Sequence, residues 1–309
     1  MSSTVLVASP SLLKEMEVAY QNSFVSPFPP HTLFAARKNG TVITAYHSGK
    51  VLFQGAGAEA EAGKWEAKGA SETKKKEKKP APASTLPEGF KNWSVIGSDE
   101  VGNGSYFGPL TVVAAYADRS QLALLKELGV KDSKNLTDKQ IISIAKDLIT
   151  FLPYSSLTVW PEKYNHIQPT MTQGKMKALL HNQVLLRALQ KIDPQKPEAI
   201  LIDQFAQEKT YFSYLKAEKE IVKENVFFAT KGESHHLAVA AASIIARYSF
   251  LKGLEECSKI AGLPLPSGAS AQSDVAAAKV LKKGGMPLLN KVAKLHFANT
   301  EKAKKIAGK

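Results

Sequence analysis

The spacing of apolar residues changes along the chain and predicts two regions of different architecture. In the N-terminal region, short apolar runs predict strands, and the hairpin-type turns Asn39-Gly40 and Ser48-Gly49 separate the last three of them. A helix is predicted after the first strand, because Ser9 is a typical cap and Pro10 suits the first helical position. The predicted strands span residues 4–8, 32–37, 41–46 and 50–54. This region is therefore expected to be a small α+β domain, with a helix packed on an antiparallel sheet.

Beyond residue 90, strand-like and helix-like segments alternate. The predicted strands span residues 94–97, 110–117, 154–160, 199–203 and 226–229. The predicted helices span residues 120–128, 137–150, 175–191, 235–256 and 271–283. Such alternation predicts an α/β domain with a mixed β-sheet flanked by helices on both faces.

A Lys-, Ala- and Pro-rich stretch separates the two regions. Residues 64–79 contain seven Lys and three Glu and show almost no apolar periodicity, and Pro80 and Pro82 follow them. This composition predicts a solvated linker rather than a specific binding element. The predicted organisation is a small N-terminal substrate-binding domain at 1–63, a linker at 64–90 and a catalytic domain at 91–309.

The overall composition favours a globular protein with a polyanionic partner. The 309 residues include 41 Lys and Arg against 28 Asp and Glu, a net charge of +13, and nucleic acid is the commonest partner of so basic a chain. The single cysteine, Cys257, excludes an internal disulfide framework and a cysteine-based zinc cluster. The N-terminus lacks the pattern of a secretory signal, and strictly apolar runs are short. A cytoplasmic location without membrane association is expected.

Four acidic residues stand in apolar or glycine-rich surroundings. Asp99 and Glu100 end one strand-like run, Asp203 ends another, and Glu233 precedes the longest predicted helix. Converging carboxylates repel each other unless a hard cation such as Mg²⁺ or Mn²⁺ neutralises them. Neighbouring side chains on a regular strand face opposite ways, so Asp99 and Glu100 are expected to share a site only if the strand ends or bulges there. Each acid taken alone is more typical of a turn or a helix cap.

Several ordered motifs resemble one enzyme family. The segments concerned read GSDEVGNGSYFGP at 97–109, KDSKNL at 131–136, Ile202-Asp203, and KGES at 231–234, which a helix rich in Ala and Ile follows. Together they resemble the type 2 ribonucleases H over residues 94–297. The resemblance implies a ribonuclease H-like fold and endonucleolytic, metal-dependent hydrolysis of RNA paired with DNA, with 5′-phosphate products.

The same resemblance assigns roles to particular residues. It implies that Asp99, Glu100 and Asp203 bind the metal and that Glu233 is the fourth catalytic acid. The expected cofactor is Mg²⁺ or Mn²⁺, with two ions in the reacting complex. The substrate-binding residues expected from the motifs are Gly102, Asn103 and Gly104, which sense RNA through their backbone N–H groups, and Lys131, Ser133 and Lys134, which bind phosphate. The alternative role of Gly102 and Gly104 is to form a tight turn. The alternative for Lys131, Ser133 and Lys134 is a solvated turn ahead of a helix.

Within the family, the chain is more similar to the ribonuclease HIII group than to the ribonuclease HII group. The ribonuclease HIII group carries an extra N-terminal domain resembling the TATA-binding protein fold, which matches the predicted N-terminal unit. Glu233 stands where the HII group usually has Asp, and Asn103 stands in place of the arginine of a Gly-Arg-Gly motif. The implied partner is an RNA–DNA hybrid, with no obligate protein partner. The alternatives are a junction-type ribonuclease HII acting on single embedded ribonucleotides and a non-catalytic nucleic-acid-binding protein.

The N-terminal region is predicted to contribute affinity rather than chemistry, since it has no acidic motif. Its basic residues cluster near turns and strand ends and comprise Arg37, Lys38, His47 and Lys50. Such a surface is suited to a phosphate backbone, and a charged solvent face is the alternative.

Overall fold

The structure is a computed structural model, and it describes residues 3–28, 32–72, 86–131 and 133–308. The chain divides into two compact units between Thr85 and Leu86. Residues 73–85, which belong to the predicted linker at 64–90, lie outside the described residues. Each unit is built around its own hydrophobic core.

The N-terminal unit is an antiparallel sheet with helices on one face. Its strands are β1 (Ser3–Val7), β2 (Thr32–Lys38), β3 (Thr41–Tyr46), β4 (Lys50–Gly55) and β5 (Ser71–Glu72), and its helices are α1 (Pro10–Tyr20) and α2 (Ala58–Glu66). The strand order is β2-β3-β4-β1-β5. Alternate strand residues such as Leu6, Phe34 and Phe53 pack against the helices. The predicted α+β architecture is confirmed, whereas its likeness to the TATA-binding protein remains a prediction.

The predicted boundary at residue 63 is wrong, because it falls inside α2. Trp65 on this helix is buried, and its Nε1 donates a hydrogen bond of 2.6 Å to the Tyr20 hydroxyl. That hydroxyl in turn donates to Glu61 Oε1 at 2.9 Å. The lysines beside Trp65 suggested a linker, but the Ala- and Glu-rich segment forms a helix because its tryptophan and Ala62 complete the core. Strand β5 also lies within the stretch predicted as linker.

The second unit contains a mixed sheet of order β10-β9-β6-β7-β8. Its strands are β6 (Val95–Val101), β7 (Leu110–Ala117), β8 (Tyr154–Val159), β9 (Ala199–Asp203) and β10 (Val226–Ala229). Strand β6 pairs antiparallel with β7 and parallel with β9, and β9 pairs parallel with β10. Its helices are α3 (Leu122–Glu127), α4 (Asp138–Phe151), α5 (Pro161–Ile167), α6 (Gln173–Ile192), α7 (Glu208–Tyr214), α8 (Leu237–Ala261), α9 (Ala271–Val292) and α10 (Asn299–Ala307). The predicted α/β class and mixed sheet are confirmed.

Helices cover both faces of this sheet, as predicted. Helix α8 packs on β6 and β7 from one side together with α4, and α6 packs on the other side. Helix α8 is, of the described helices, the one long and apolar enough to cross a membrane by length and composition, and 67% of that window is buried. Its all-round apolar surface matches its position between the sheet, α4 and α9.

The lack of a side chain at Gly97 allows β6 to lie very close to α8. A Cβ on Gly97 would lie 2.2 Å from the backbone nitrogen of Val239 and 2.3 Å from the carbonyl carbon of Ala238. The start of α8 therefore presses directly on the β6 backbone. This close approach brings the end of β6 and the residues of α8 to the same cleft.

Candidate active site

The register of two neighbouring strands brings Asp99 and Asp203 together. Ser98 on β6 lies opposite Ile202 on β9, so the next residues of these parallel strands, Asp99 and Asp203, stand side by side. Their side chains leave the same face of the sheet, the one that α8 covers, because they keep the alternation of Val95 and Leu201. The ends of adjacent parallel strands are the usual ligand-binding edge of an α/β sheet.

Asp99 is a buried carboxylate held by hydrogen bonds. Its Oδ1 accepts a 2.7 Å hydrogen bond from the Glu100 backbone N–H, and the Ser243 hydroxyl of α8 also donates to its carboxylate. Burial, followed by the negative charges of Glu100 and Asp203, raises the pKa of Asp99 to about 8. The side chain therefore sits among like charges with too little compensating positive charge.

Glu100 points to the other face of the sheet. The expectation that the strand ends or bulges at this point is wrong, since β6 pairs regularly with β7 through Val101. Lys177 Nζ of α6 donates to Glu100 Oε1 at 2.7 Å, and His181 Nε2 lies 3.0 Å from Glu100 Oε2. Burial alone would raise the pKa of Glu100, but these two partners outweigh it and lower the pKa. Glu100 still lines the same cleft as Asp99, because both stand near the end of the strand.

Asp203 and Glu233 meet at the start of the segment that leads into α8. Asp203 Oδ1 accepts a 2.8 Å hydrogen bond from the Gly232 backbone N–H. Burial raises the pKa of Asp203, the Gly232 hydrogen bond lowers it, and the nearby Glu233 carboxylate raises it. Glu233 is 8% exposed and lies 3.1 Å from Lys134 Nζ. The structure therefore brings all four predicted acids to one region.

The predicted phosphate-binding residues fall into two groups. Lys134 forms an ion pair with Glu233, one of the four acids. The Ser133 hydroxyl lies 2.9 Å from the hydroxyl of Ser243, which is a hydrogen-bond partner of Asp99. Lys131 is exposed and is not among the residues lining the cleft described here. Asp132, which belongs to the same motif, lies outside the described residues.

The glycine-rich turn after β6 has a structural reason for its first glycine. Gly102 has φ of +102°, and a Cβ there would lie 2.1 Å from the Pro109 carbonyl oxygen. Gly104 has open space around the corresponding position. Within the described residues, the buried Asn103 Oδ1 has no hydrogen-bond partner. A tight turn thus accounts for Gly102. It does not account for Gly104, where the space beside the backbone is open to a ligand.

Sequence reasoning missed the side chains that surround the acids. These residues are Lys177 and His181 on α6, Ser243 and Arg247 on α8, and Asp138 on α4. Arg247 donates to Asp138 Oδ1 through Nη2 at 3.0 Å and through Nε at 3.2 Å, and both line the cleft. The motif containing Ser243 and Arg247 was visible in the sequence, whereas no local signal marked Lys177 or His181.

The cleft has the chemistry of a divalent-cation site. It encloses about 440 Å³ and is lined by three carboxylates at the strand ends together with Ser133, Lys134, Ser243 and Arg247. Burial is the first cause that raises the pKa of Asp99 and of Asp203, and a divalent cation bound beside them would favour their ionised forms. Among the described residues, no three acidic, imidazole or thiol groups are already grouped as a complete metal site.

A mixed sheet whose adjacent strands end in carboxylates, set in a basic chain, defines the class of metal-dependent nucleases with a ribonuclease H-type fold. Comparisons with known proteins agree. The family model described as Ribonuclease HII matches residues 96–300, and a domain of unknown function, DUF3378, matches residues 3–78. The chain is 53% identical over 302 residues to the ribonuclease HIII of Enterococcus faecalis, covering 98% of each chain.

Two further relatives cover the whole length. The ribonuclease HIII of Bacillus subtilis is 53% identical over 311 residues, covering 100% of this chain and 99% of the relative. The crystal structure of Bst-RNase HIII in complex with Mn²⁺ has a TM-score of 0.71 and 45% identity, covering 99% of each chain. The chain belongs to the ribonuclease HIII group of the type 2 ribonuclease H family. Membership confirms the predicted activity, hydrolysis of the RNA strand of RNA–DNA hybrids, and its dependence on a divalent cation such as Mg²⁺ or Mn²⁺.

Proposed function

We propose that cleavage takes place at the cleft where β6 and β9 end, with Asp99, Glu100 and Asp203 as metal ligands. The observation that carries this proposal is the register that sets Asp99 beside Asp203. The hydrogen bonds of Asp99 with Ser243 and of Asp203 with Gly232 fix both carboxylates before any ion arrives. Pre-positioned carboxylates lose little conformational entropy when they bind a cation.

The remaining polar residues orient the substrate. When bound, the divalent ions activate water and stabilise the charge that develops on the phosphate and the leaving 3′-oxygen. Lys134, exposed and paired with Glu233, supplies a positive charge at the rim of the cleft for a neighbouring phosphate. Arg247 presents a second cation, which Asp138 holds in place. Glu233 stands beside Asp203, where it can accept a hydrogen bond from water or from the substrate.

We further propose that the turn from Gly102 to Gly104 reads the RNA strand through its 2′-hydroxyl groups. Gly104 has open space where a Cβ would lie, so a ribose can approach the backbone of this turn. Asn103 lacks the guanidinium fork that would clamp a phosphate at an RNA–DNA junction. These features favour a continuous RNA strand over a single ribonucleotide embedded in DNA.

The N-terminal unit is proposed to bind the hybrid. Its helices cover one face of the sheet, and alternate residues including Arg37, Lys50 and Gln54 lie exposed on the other face. A sheet face with cations and amide groups is suited to a phosphate backbone. The proposed location of the enzyme is the cytoplasm, consistent with a single free, buried cysteine.

The experiment that tests the proposed specificity is a cleavage assay on two matched duplexes, one with a continuous RNA strand and one with a single ribonucleotide. With Mg²⁺ or Mn²⁺, the continuous hybrid should be cut at least about 100-fold faster, because several hydrogen bonds of about 1 kcal/mol each are lost on the other substrate. Reactions with chelator are the control. Equal rates on the two duplexes would assign the chain to the junction-type activity.

A further inference from the structure

Glu100 is held by two side chains of helix α6 that the proposed chemistry does not use. Lys177 and His181 stand four residues apart and therefore share one face of the helix. Each takes a different oxygen of the carboxylate, Lys177 at 2.7 Å and His181 at 3.0 Å. We call this pair the α6 clamp.

The clamp is buried and is itself supported. The side chains of Lys177 and Glu100 are 11% and 12% exposed, and that of His181 is fully buried. Ser98 Oγ lies 2.6 Å from His181 Nδ1, and Ser98 is also fully buried. The Lys177 ammonium lies 4.2 Å from the centre of the Phe205 ring, which also packs on the His181 ring. These contacts leave both clamp residues little freedom to adopt other rotamers.

The hydrogen-bond directions follow from the partners. An ionised carboxylate only accepts, so His181 Nε2 carries the proton that it donates to Glu100. The Ser98 hydroxyl lies 2.6 Å from Nδ1, the other nitrogen of the same ring. The chain Ser98–His181–Glu100 is thus hydrogen-bonded throughout, and Lys177 places an ammonium charge against the same carboxylate.

The three proposed metal ligands therefore differ in charge balance. Glu100 already has an ammonium group as its partner. Asp99 instead accepts hydrogen bonds from a serine hydroxyl and a backbone N–H group, and Asp203 accepts one from a backbone N–H group. A carboxylate oxygen has two lone pairs, so Glu100 retains one on each oxygen after the clamp has taken the other. Glu100 can reach a cation in the cleft without leaving α6, but the Lys177 charge opposes that cation.

We propose that Lys177 and His181 are positioning residues that fix the direction of the Glu100 carboxylate and limit how strongly it binds the divalent ion. The proposal rests on the proposed role of Glu100 as a metal ligand. Without the Lys177 charge, Glu100 binds the ion more tightly but in a geometry that serves cleavage poorly. Without His181, the carboxylate loses its fixed direction.

The test uses the full chain and two independent readouts. Binding of Mn²⁺ to the substrate-free protein is followed by the electron paramagnetic resonance signal of free Mn²⁺, and kcat and KM are measured on a continuous hybrid at saturating Mn²⁺. Lys177→Met should tighten Mn²⁺ binding about threefold to tenfold and lower kcat at least about tenfold, with KM changed less than about threefold. Lys177→Arg should restore both values to within about threefold of the wild type, because it keeps the charge.

Two further variants separate the clamp from general packing. Ser98→Ala should lower kcat about threefold, because His181 loses the hydroxyl partner that orients its ring, while Lys177 and its charge remain. Lys175→Met makes the same charge change on the same helix, and Lys175 does not line the cleft, so both readouts should stay at the wild-type value. If Lys177→Met folds poorly, Lys177→Gln takes its place.

The outcomes distinguish failure of the clamp from failure of the metal assignment. Glu100→Gln should weaken Mn²⁺ binding if Glu100 is a ligand. If it does so while the Lys177 and Ser98 variants behave like the Lys175 control, the clamp proposal is wrong and the metal assignment stands. If Glu100→Gln leaves Mn²⁺ binding unchanged, Glu100 is not a ligand of the substrate-free protein, and both proposals are overturned.

Discussion

Asp203 shows how one residue combines a structural and a chemical role. Its Oδ1 accepts the Gly232 N–H, which ties the end of β9 to the segment carrying Glu233. The carboxylate also stands beside Asp99, where its charge contributes to the raised pKa of that residue. The structural role needs only an acceptor oxygen, whereas cation binding needs the negative charge.

Replacing Asp203 with Asn separates these roles. Asp203→Asn keeps an acceptor for Gly232 but removes the charge, so we expect cleavage to fall at least about 1,000-fold with little change in thermal stability. Cleavage of a continuous hybrid in Mg²⁺ and the unfolding temperature are the measurements. Asp147→Asn on the exposed side of α4 is the matched control. Near wild-type cleavage by folded Asp203→Asn protein would remove Asp203 from the metal site.

At the scale of single elements, the start of α8 depends on an unusual cap. His236 Nδ1 accepts the Ala238 backbone N–H at 3.0 Å, and its Nε2 lies 3.1 Å from the Trp93 carbonyl oxygen. Burial lowers the pKa of His236 to about 4, although the hydrogen bond with Trp93 opposes this shift. His236 therefore has a structural role, because its neutral ring caps the helix.

This cap makes stability depend on pH. The pKa of His236 is about 4 when folded, below its unfolded value of 6.5, so the unfolded chain binds more protons between these pH values. Stability therefore decreases as the pH is lowered. Between pH 7 and pH 5 the free energy of unfolding should decrease by about 2 kcal/mol from this group. His236→Asn keeps a capping oxygen without titrating, so denaturant unfolding at the two pH values should show a smaller decrease. An identical decrease in both proteins would contradict this assignment.

The contact between β6 and α8 gives a second prediction at this scale. A methyl group at position 97 meets the α8 backbone, which cannot move aside as a flexible side chain would. We expect Gly97→Ala to lower the free energy of unfolding by about 3 kcal/mol or more. Gly104→Ala, where the added methyl group meets open space, should change it by less than about 1 kcal/mol. Equal destabilisation in urea titrations would show that the two elements lie further apart.

At the scale of the whole molecule, the positive charge is unevenly distributed. The described part of the N-terminal unit, residues 3–28 and 32–72, carries six Lys and Arg and six Asp and Glu, so the excess of +13 belongs to the rest of the chain. The charges of this part are nevertheless sorted by face. Its acids other than Glu72 lie on α1 and α2, whereas Arg37 and Lys50 lie on the exposed face of the sheet. A neutral unit can therefore present a basic surface.

This sorting predicts which lysines and arginines of the N-terminal unit bind the hybrid. The double variant Arg37→Ala with Lys50→Ala should weaken hybrid binding and reduce the slope of log Kd against log salt by about 1 to 2, since fewer counterions are released. The control, Lys14→Ala with Lys68→Ala, removes the same charge from exposed positions away from that face. Equal effects of the two double variants in binding titrations would assign the contribution to net charge alone.

The sequence by itself determined the local features of both units. Apolar periodicity located most strands and helices, including α4, and the Ser9 cap marked the start of α1. The ordered acidic motifs indicated the family, the three acids that line the cleft and Glu233, which pairs with Lys134 at its rim. These signals depend on neighbouring residues or on fixed motifs, and both are legible along the chain.

Only the tertiary structure decided how the acids are held. The partners of Glu100 lie 77 and 81 residues away on α6, and no spacing rule connects them to β6. The regular pairing of β6 sends Asp99 toward α8 and Glu100 toward α6, whereas the sequence predicted a shared site only if the strand ended or bulged there. The core position of Trp65 was also missed in the sequence. Its lysine-rich neighbours suggested a linker, but its ring packs against core residues that are distant along the chain. Contacts between residues far apart in sequence arise from packing and register, which local composition does not encode.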